Sequence, residues 1–238
     1  MNSTIYVLSQ ILIILTVLGV IGAILYSLQH AFRRLAIPNR QDRLRWISLG
    51  LLLWLLILAI AARLHLFHQA GDTLPKLVWV LLPGILLIGV LTGSKSFGSV
   101  LKMIPTAWLI KIQVFRIGTE AALWLGYKGG FVPLQMTFEW LNQDIVVGLT
   151  ALLAGHLFFE RRLLKFQAII WNFFGILLTI NFLWLAFTSV PNKWQLFFVT
   201  PHHTILSETP FIWILGFSVP FALAMHIFCI KRLLMRAG

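Results

Sequence analysis

The chain has 238 residues, of which 59% are hydrophobic and only 11% charged, with a mean hydropathy of +0.90 and a formal net charge of +12. A soluble domain needs about 25% charged residues to keep its surface wet, so a soluble globular fold is excluded. The apolar content excludes disorder, and a single cysteine, Cys229, excludes a disulfide scaffold. What remains is an all-α polytopic membrane protein, read as one domain over residues 1–238.

Seven apolar stretches are candidates for crossing a hydrocarbon core of about 30 Å, which takes roughly 20 helical residues. In chain order they are Ile5–Leu28, Trp46–Phe67, Leu77–Leu91, Pro105–Gly126, Ile145–Phe159, Phe166–Thr188 and Phe211–Ile230. The third and fifth are short and are expected to extend into their flanks. The runs are continuous rather than alternating, which excludes a β-barrel. The first stretch lacks a basic leader, since Met1–Thr4 carries no Lys or Arg, so it is expected to stay as a helix. Pro83 and Pro220 fall inside the third and seventh stretches and should free backbone carbonyls there. Gly89 and Gly93 form a small-xxx-small pair that could bring two helices together.

Orientation follows from Lys and Arg in alternate loops. Thirteen fall in one set, including Arg33, Arg34, Arg40, Arg43 and Arg45, whereas the other set holds Lys76, Lys128 and Lys193. This asymmetry places the N-terminus outside and the C-terminus in the cytoplasm. Most of the net charge is then a topology signal facing anionic head groups, and nucleic acid is not an expected partner. The two longest outer connections, 127–144 and 189–210, are rich in Trp, Phe and Pro, as at Trp140, Trp194, Phe197 and Phe198. They are expected to lie at the membrane interface.

The fourth stretch carries Lys111, Gln113, Arg116, Thr119 and Glu120. At 100° per residue, Gln113, Arg116 and Glu120 fall within about 60° of one another and form a polar stripe. A cation near the middle of a span is costly unless partnered, so Arg116 must face the bundle. Glu120 is the nearest partner by sequence, and a partner from another helix is also open. The stripe is either a structural ion pair or part of a solute or proton path. Glu139, Asn142 and Asp144 precede the fifth stretch. Asn142 or Asp144 can cap that helix, and Glu139 is positioned to reach Arg116 or Arg63.

His65 and His68 on one side and His202 and His203 on the other form a weak candidate metal set. His156 and His226, on different spans, are the two histidines a haem would require. Neither a metal nor a haem is favoured, since satisfied or solvated histidines explain both sets. Asn172 and Asn181 on the sixth stretch are nine residues apart and so point to opposite neighbours.

Three segments carry a resemblance: Glu139-x-x-Asn142-x-Asp144-Ile145-x-x-Gly148-x-Thr150-Ala151, Trp171-Asn172-x-x-Gly175 and Gln113-x-x-Arg116-x-x-x-Glu120. They resemble parts of an uncharacterised family of bacterial seven-helix membrane proteins. The resemblance implies a bacterial inner-membrane location and supplies no activity. On these residues the expected function is a small-solute or proton-coupled transporter or binding protein. Gln113, Arg116 and Glu120 would floor its pocket, Glu139, Asn142 and Asp144 would rim it, and a small anionic or carboxyl-bearing molecule would be its ligand. The alternatives are a membrane-embedded metal enzyme acting on lipid, and a structural or sensory subunit.

Overall fold

The computed structural model describes residues 3–68, 76–160, 164–197 and 205–235. Its architecture is all helical: α1 Ser3–Arg34, α2 Arg40–Arg63, α3 Leu77–Gly93, α4 Lys95–Met103, α5 Thr106–Lys111, α6 Phe115–Lys128, α7 Ile145–Glu160, α8 Lys165–Thr188 and α9 Val219–Leu234. Four helical runs are long and apolar enough to cross a membrane, namely α1, α2, α8 and Ile214–Leu234. The pair α3 and α4 makes a fifth if it counts as one span, bent by 85°. The fold is thus consistent with a multi-span membrane bundle.

The expected fourth and fifth crossings fall short of that standard for physical reasons. Residues 106–128 keep right-handed helical backbone throughout, but the helix tightens over Ile112–Val114 and carries Lys111, Arg116, Glu120 and Lys128. Helix α7 is apolar but short. The third stretch, expected over Leu77–Leu91, runs two residues further as α3 and ends at Gly93. Ser94 leaves the helical region at φ −74° and ψ 126°, and its Oγ accepts from Phe97 N at 3.2 Å, which starts α4 in a new direction.

The surface is apolar where a soluble protein would be wet. Leu15, Leu53, Leu86, Leu149, Leu153 and Leu177 are all more than half exposed. A surface so rich in aliphatic side chains belongs against lipid. Inside the bundle, small residues set the close approaches. A Cβ at Gly118 would overlap Thr16 of α1, one at Gly148 would overlap Ile117, and one at Gly155 would overlap the Lys111 stem. Gly148 and Gly155 therefore let α7 lie close along α5 and α6. The pair Gly89 and Gly93 does not serve this purpose, because both face open space.

Pro220 has no N–H, so the carbonyl four residues earlier, at Gly216, loses its helical donor. The backbone widens over Ile214–Ser218, and the Trp54 indole donates to Gly216 O at 2.9 Å. The segment between α6 and α7 also departs from expectation. It packs part of its length into the bundle, burying Val132, Gln135, Met136 and Thr137, while Trp140 stays half exposed. Gln135 there donates to Ser189 Oγ at 3.3 Å.

Candidate functional site

Arg116 is 1% exposed and lies at the centre of a polar network drawn from the turn Ile112–Val114, α6, the segment before α7, α8 and α9. Guanidinium carries five donors in a fixed fork and stays charged, so burial is tolerable only if the fork is met by acceptors. Four acceptors meet it. Nε donates to Gln113 Oε1 at 3.1 Å, one terminal nitrogen donates to Asp144 Oδ1, and the other donates to Thr179 Oγ1 at 2.6 Å and faces His226 Nε2 at 3.1 Å. Gln113 is itself fixed, donating to Ala222 O on α9 at 3.0 Å.

The remaining bonds assign the tautomer of His226. Asn172 Nδ2 donates to Ala168 O at 2.7 Å and to Cys229 Sγ at 3.3 Å, which turns its Oδ1 toward His226 Nδ1 at 2.9 Å. Nδ1 therefore carries the proton, and Nε2 accepts from Arg116, so the ring is neutral. Thr179 passes its own hydroxyl proton to Gly175 O at 2.8 Å. Gly175 is where α9 comes in closely: a Cβ there would overlap the His226 ring.

Both carboxyl groups of the network border the same small space as Arg116. Asp144 is the ion-pair partner. Glu120, the partner nearest in sequence, instead accepts from Asn142 Nδ2 at 2.7 Å. Asn142 also donates to Met136 O at 3.0 Å and accepts from Asp144 N at 3.2 Å. The expected intrahelical pair is thus replaced by a cross-helix pair. Asp144 stands just before α7, and its carboxylate is engaged by Arg116 rather than serving only the helix end. One fixed cation faces two carboxyls, and the free space beside them is about 10 Å³. That is room for about one water.

Of the six expected pocket residues, Gln113, Arg116, Glu120, Asn142 and Asp144 come together. Glu139 does not join them. It is at the surface, where the Trp124 indole donates to it at 2.6 Å and Lys128 approaches within 2.9 Å. The Trp124 hydrogen bond first, and Lys128 second, hold the Glu139 carboxyl below the usual glutamate range. Arg63 is not its partner.

His65 and His68 face each other, Nδ1 to Nδ1 at 3.3 Å, whereas His202 and His203 lie outside the described residues. No group of three or more His, Cys, Asp or Glu side chains with metal-binding geometry occurs among the described residues. A haem bridging His156 and His226 does not fit: both His226 nitrogens are engaged, and His156 is exposed.

Asn172, Thr179 and His226 are the members that sequence reasoning did not place here. A signal was present. Asn172, Gly175 and Thr179 repeat on α8 the three-then-four spacing of Gln113, Arg116 and Glu120, so each helix presents one polar face. Asn181, on the opposite side, donates to Leu141 O at 2.9 Å, as its offset from Asn172 requires. The three segments of the sequence resemblance thus meet largely at one place. No protein-family model matches the chain, and no curated protein or solved structure is similar to it, so the family suggested by that resemblance is not shown and a helical, membrane-type fold is what stands.

Proposed function

We propose that the protein crosses a bacterial inner membrane seven times, N-terminus outside, and that the Arg116 network is the proton-binding element of a proton-coupled transporter. Five of the proposed crossings correspond to long apolar runs, with α3 and α4 taken as one. The other two are residues 106–128, at 23 residues, and α7. The charge asymmetry of the loops supports the orientation.

The observation that carries the proton reading is that Glu120 and Asp144 are both buried near one guanidinium, whose other terminal nitrogen meets a neutral imidazole. Two carboxylates against one cation leave an excess negative charge in low dielectric, and a proton on Glu120 removes it. Asp144 holds Arg116, and Asn142 links the two carboxyl groups. With room for about one water, the chemistry open to this arrangement is proton exchange. A carboxyl-bearing solute would reach Arg116 only after helices move apart.

Infrared difference spectra recorded across pH on protein in lipid vesicles test this reading. The expected result is a protonated-carboxyl stretch that appears as pH falls and disappears in Glu120→Gln but not in Glu139→Gln. If no buried carboxyl titrates while the fold persists, the network only sets helix packing.

A further inference from the structure

We infer that the cleft at the basic end of the bundle is a binding site for one anionic phospholipid, with an acyl chain inside and the head group at Arg43. The site is separate from the Arg116 network, and the inference rests on the membrane character of the fold but not on proton chemistry. The cleft has a volume of about 830 Å³ and is lined by α1, α2, α3, α4, α5 and α9. That is within the roughly 300–1,000 Å³ typical of cavities that hold a small molecule.

The cleft exists because α2 is buried over only part of its length. Its fully buried residues are Leu55, Leu58 and Ala62, and Trp54 ties it to Gly216 of the widened helix. Between Arg40 and Trp54 no α2 residue is buried, so this half stands off from α3 and α4. Opposite it are Leu87 and Leu91 of α3 and Phe97 of α4, a lining of hydrocarbon. In a bilayer no hydrophobic force closes such a cleft, because lipid tails are as apolar as leucine. A chain inside it gains packing, and selection among lipids falls to the head group.

Head-group chemistry is set at the mouth. Arg43 is the one charged residue that lines the cleft among the described residues, and Ser96 and Ser99 of α4 add hydroxyls to the lining. The Arg43 guanidinium has no protein partner among the described residues; the ion pairs there are Arg116–Asp144 and Lys128–Glu139. The adjoining ends of α1, α2, α4 and α9 carry nine Lys and Arg against Asp42. An anionic phosphodiester matches that field, and a zwitterionic head group matches it less well.

Electron paramagnetic resonance on the full chain in phosphatidylcholine vesicles tests the site, using spin-labelled phosphatidylglycerol or spin-labelled phosphatidylcholine as probe. The wild type should immobilise phosphatidylglycerol about fivefold more strongly, the factor expected for one cation near an anionic head group. Arg43→Gln should bring the two probes level. Ala23→Trp, which fills the cleft from α1, should lower the immobilised fraction of phosphatidylglycerol. Ser99→Phe fills it from the exposed face of α4 and keeps the test open if Ala23→Trp does not fold. Equal immobilisation of both probes by the wild type overturns the proposal. So does a preference that survives Arg43→Gln, or one that neither filling variant reduces, since the lipid would then belong to the general boundary layer.

Discussion

The Arg116 network and the basic-end cleft share the bundle, and α9 contributes to both, yet one is packed to about 10 Å³ of free space and the other leaves about 830 Å³. The difference follows from the kind of side chain each region holds. Buried donors and acceptors cost free energy until partnered, so Arg116, Gln113, Asn142, Asn172 and His226 draw their helices into fixed positions. Aliphatic side chains carry no such requirement in a bilayer, because lipid satisfies them as well as protein does. Polar residues therefore fix this fold, and apolar ones leave it room. A soluble protein shows the reverse order.

The largest expected effect separates the two carboxyls of the network. Asp144→Asn leaves Arg116 without its ion-pair partner and should destabilise by about 3–5 kcal/mol. Glu120→Gln replaces a group whose direct partner is an amide, and should cost only about 1 kcal/mol. Denaturant unfolding in detergent measures both, and equal losses would mean that Arg116 is shared evenly. A middle-sized effect compares the two regions directly. Gly175→Ala pushes a methyl into the His226 ring and should cost about 1–3 kcal/mol, as overpacking does. Leu87→Ala, in the wall of the cleft, should stay within about 0.5 kcal/mol because lipid replaces the lost contact. A large loss from Leu87→Ala would show that the cleft is closed in the membrane.

The smallest effect lies at the surface, away from both regions. With its folded value depressed, Glu139 contributes stability above its unfolded pKa, and that contribution fades as pH falls through the folded value. The change should be slight, because the group is solvated and its pairing with Lys128 is screened. Acid titration of Trp124 fluorescence should show it in wild type and not in Glu139→Gln.

Much of this architecture was legible from residue order. Continuous apolar runs required helices, and the stripe Gln113, Arg116, Glu120 announced a buried face. Asn142 and Asp144 were also placed at the site, although the sequence could not say which carboxyl would take the guanidinium. Proximity along the helix favoured Glu120, but Arg116 reaches Asp144 because Gly148 lets α7 lie against α6. Glu139 was misassigned for a related reason: the turn before α7 points it toward Trp124 and Lys128, outside the bundle.

Composition and periodicity by themselves determined that the chain is helical, apolar on its outside and polar at one buried level, because hydrocarbon demands internal satisfaction of every backbone and charged group. Only the tertiary structure decided which polar groups meet. That choice depends on where Gly148, Gly155 and Gly175 allow backbones to approach, where Ser94 turns the chain, and where Pro220 frees a carbonyl for Trp54. Apart from the local turn at Ser94, these are contacts between segments far apart in the chain, fixed by shape and hydrogen bonding across helices, and residue spacing within any one helix carries no record of them.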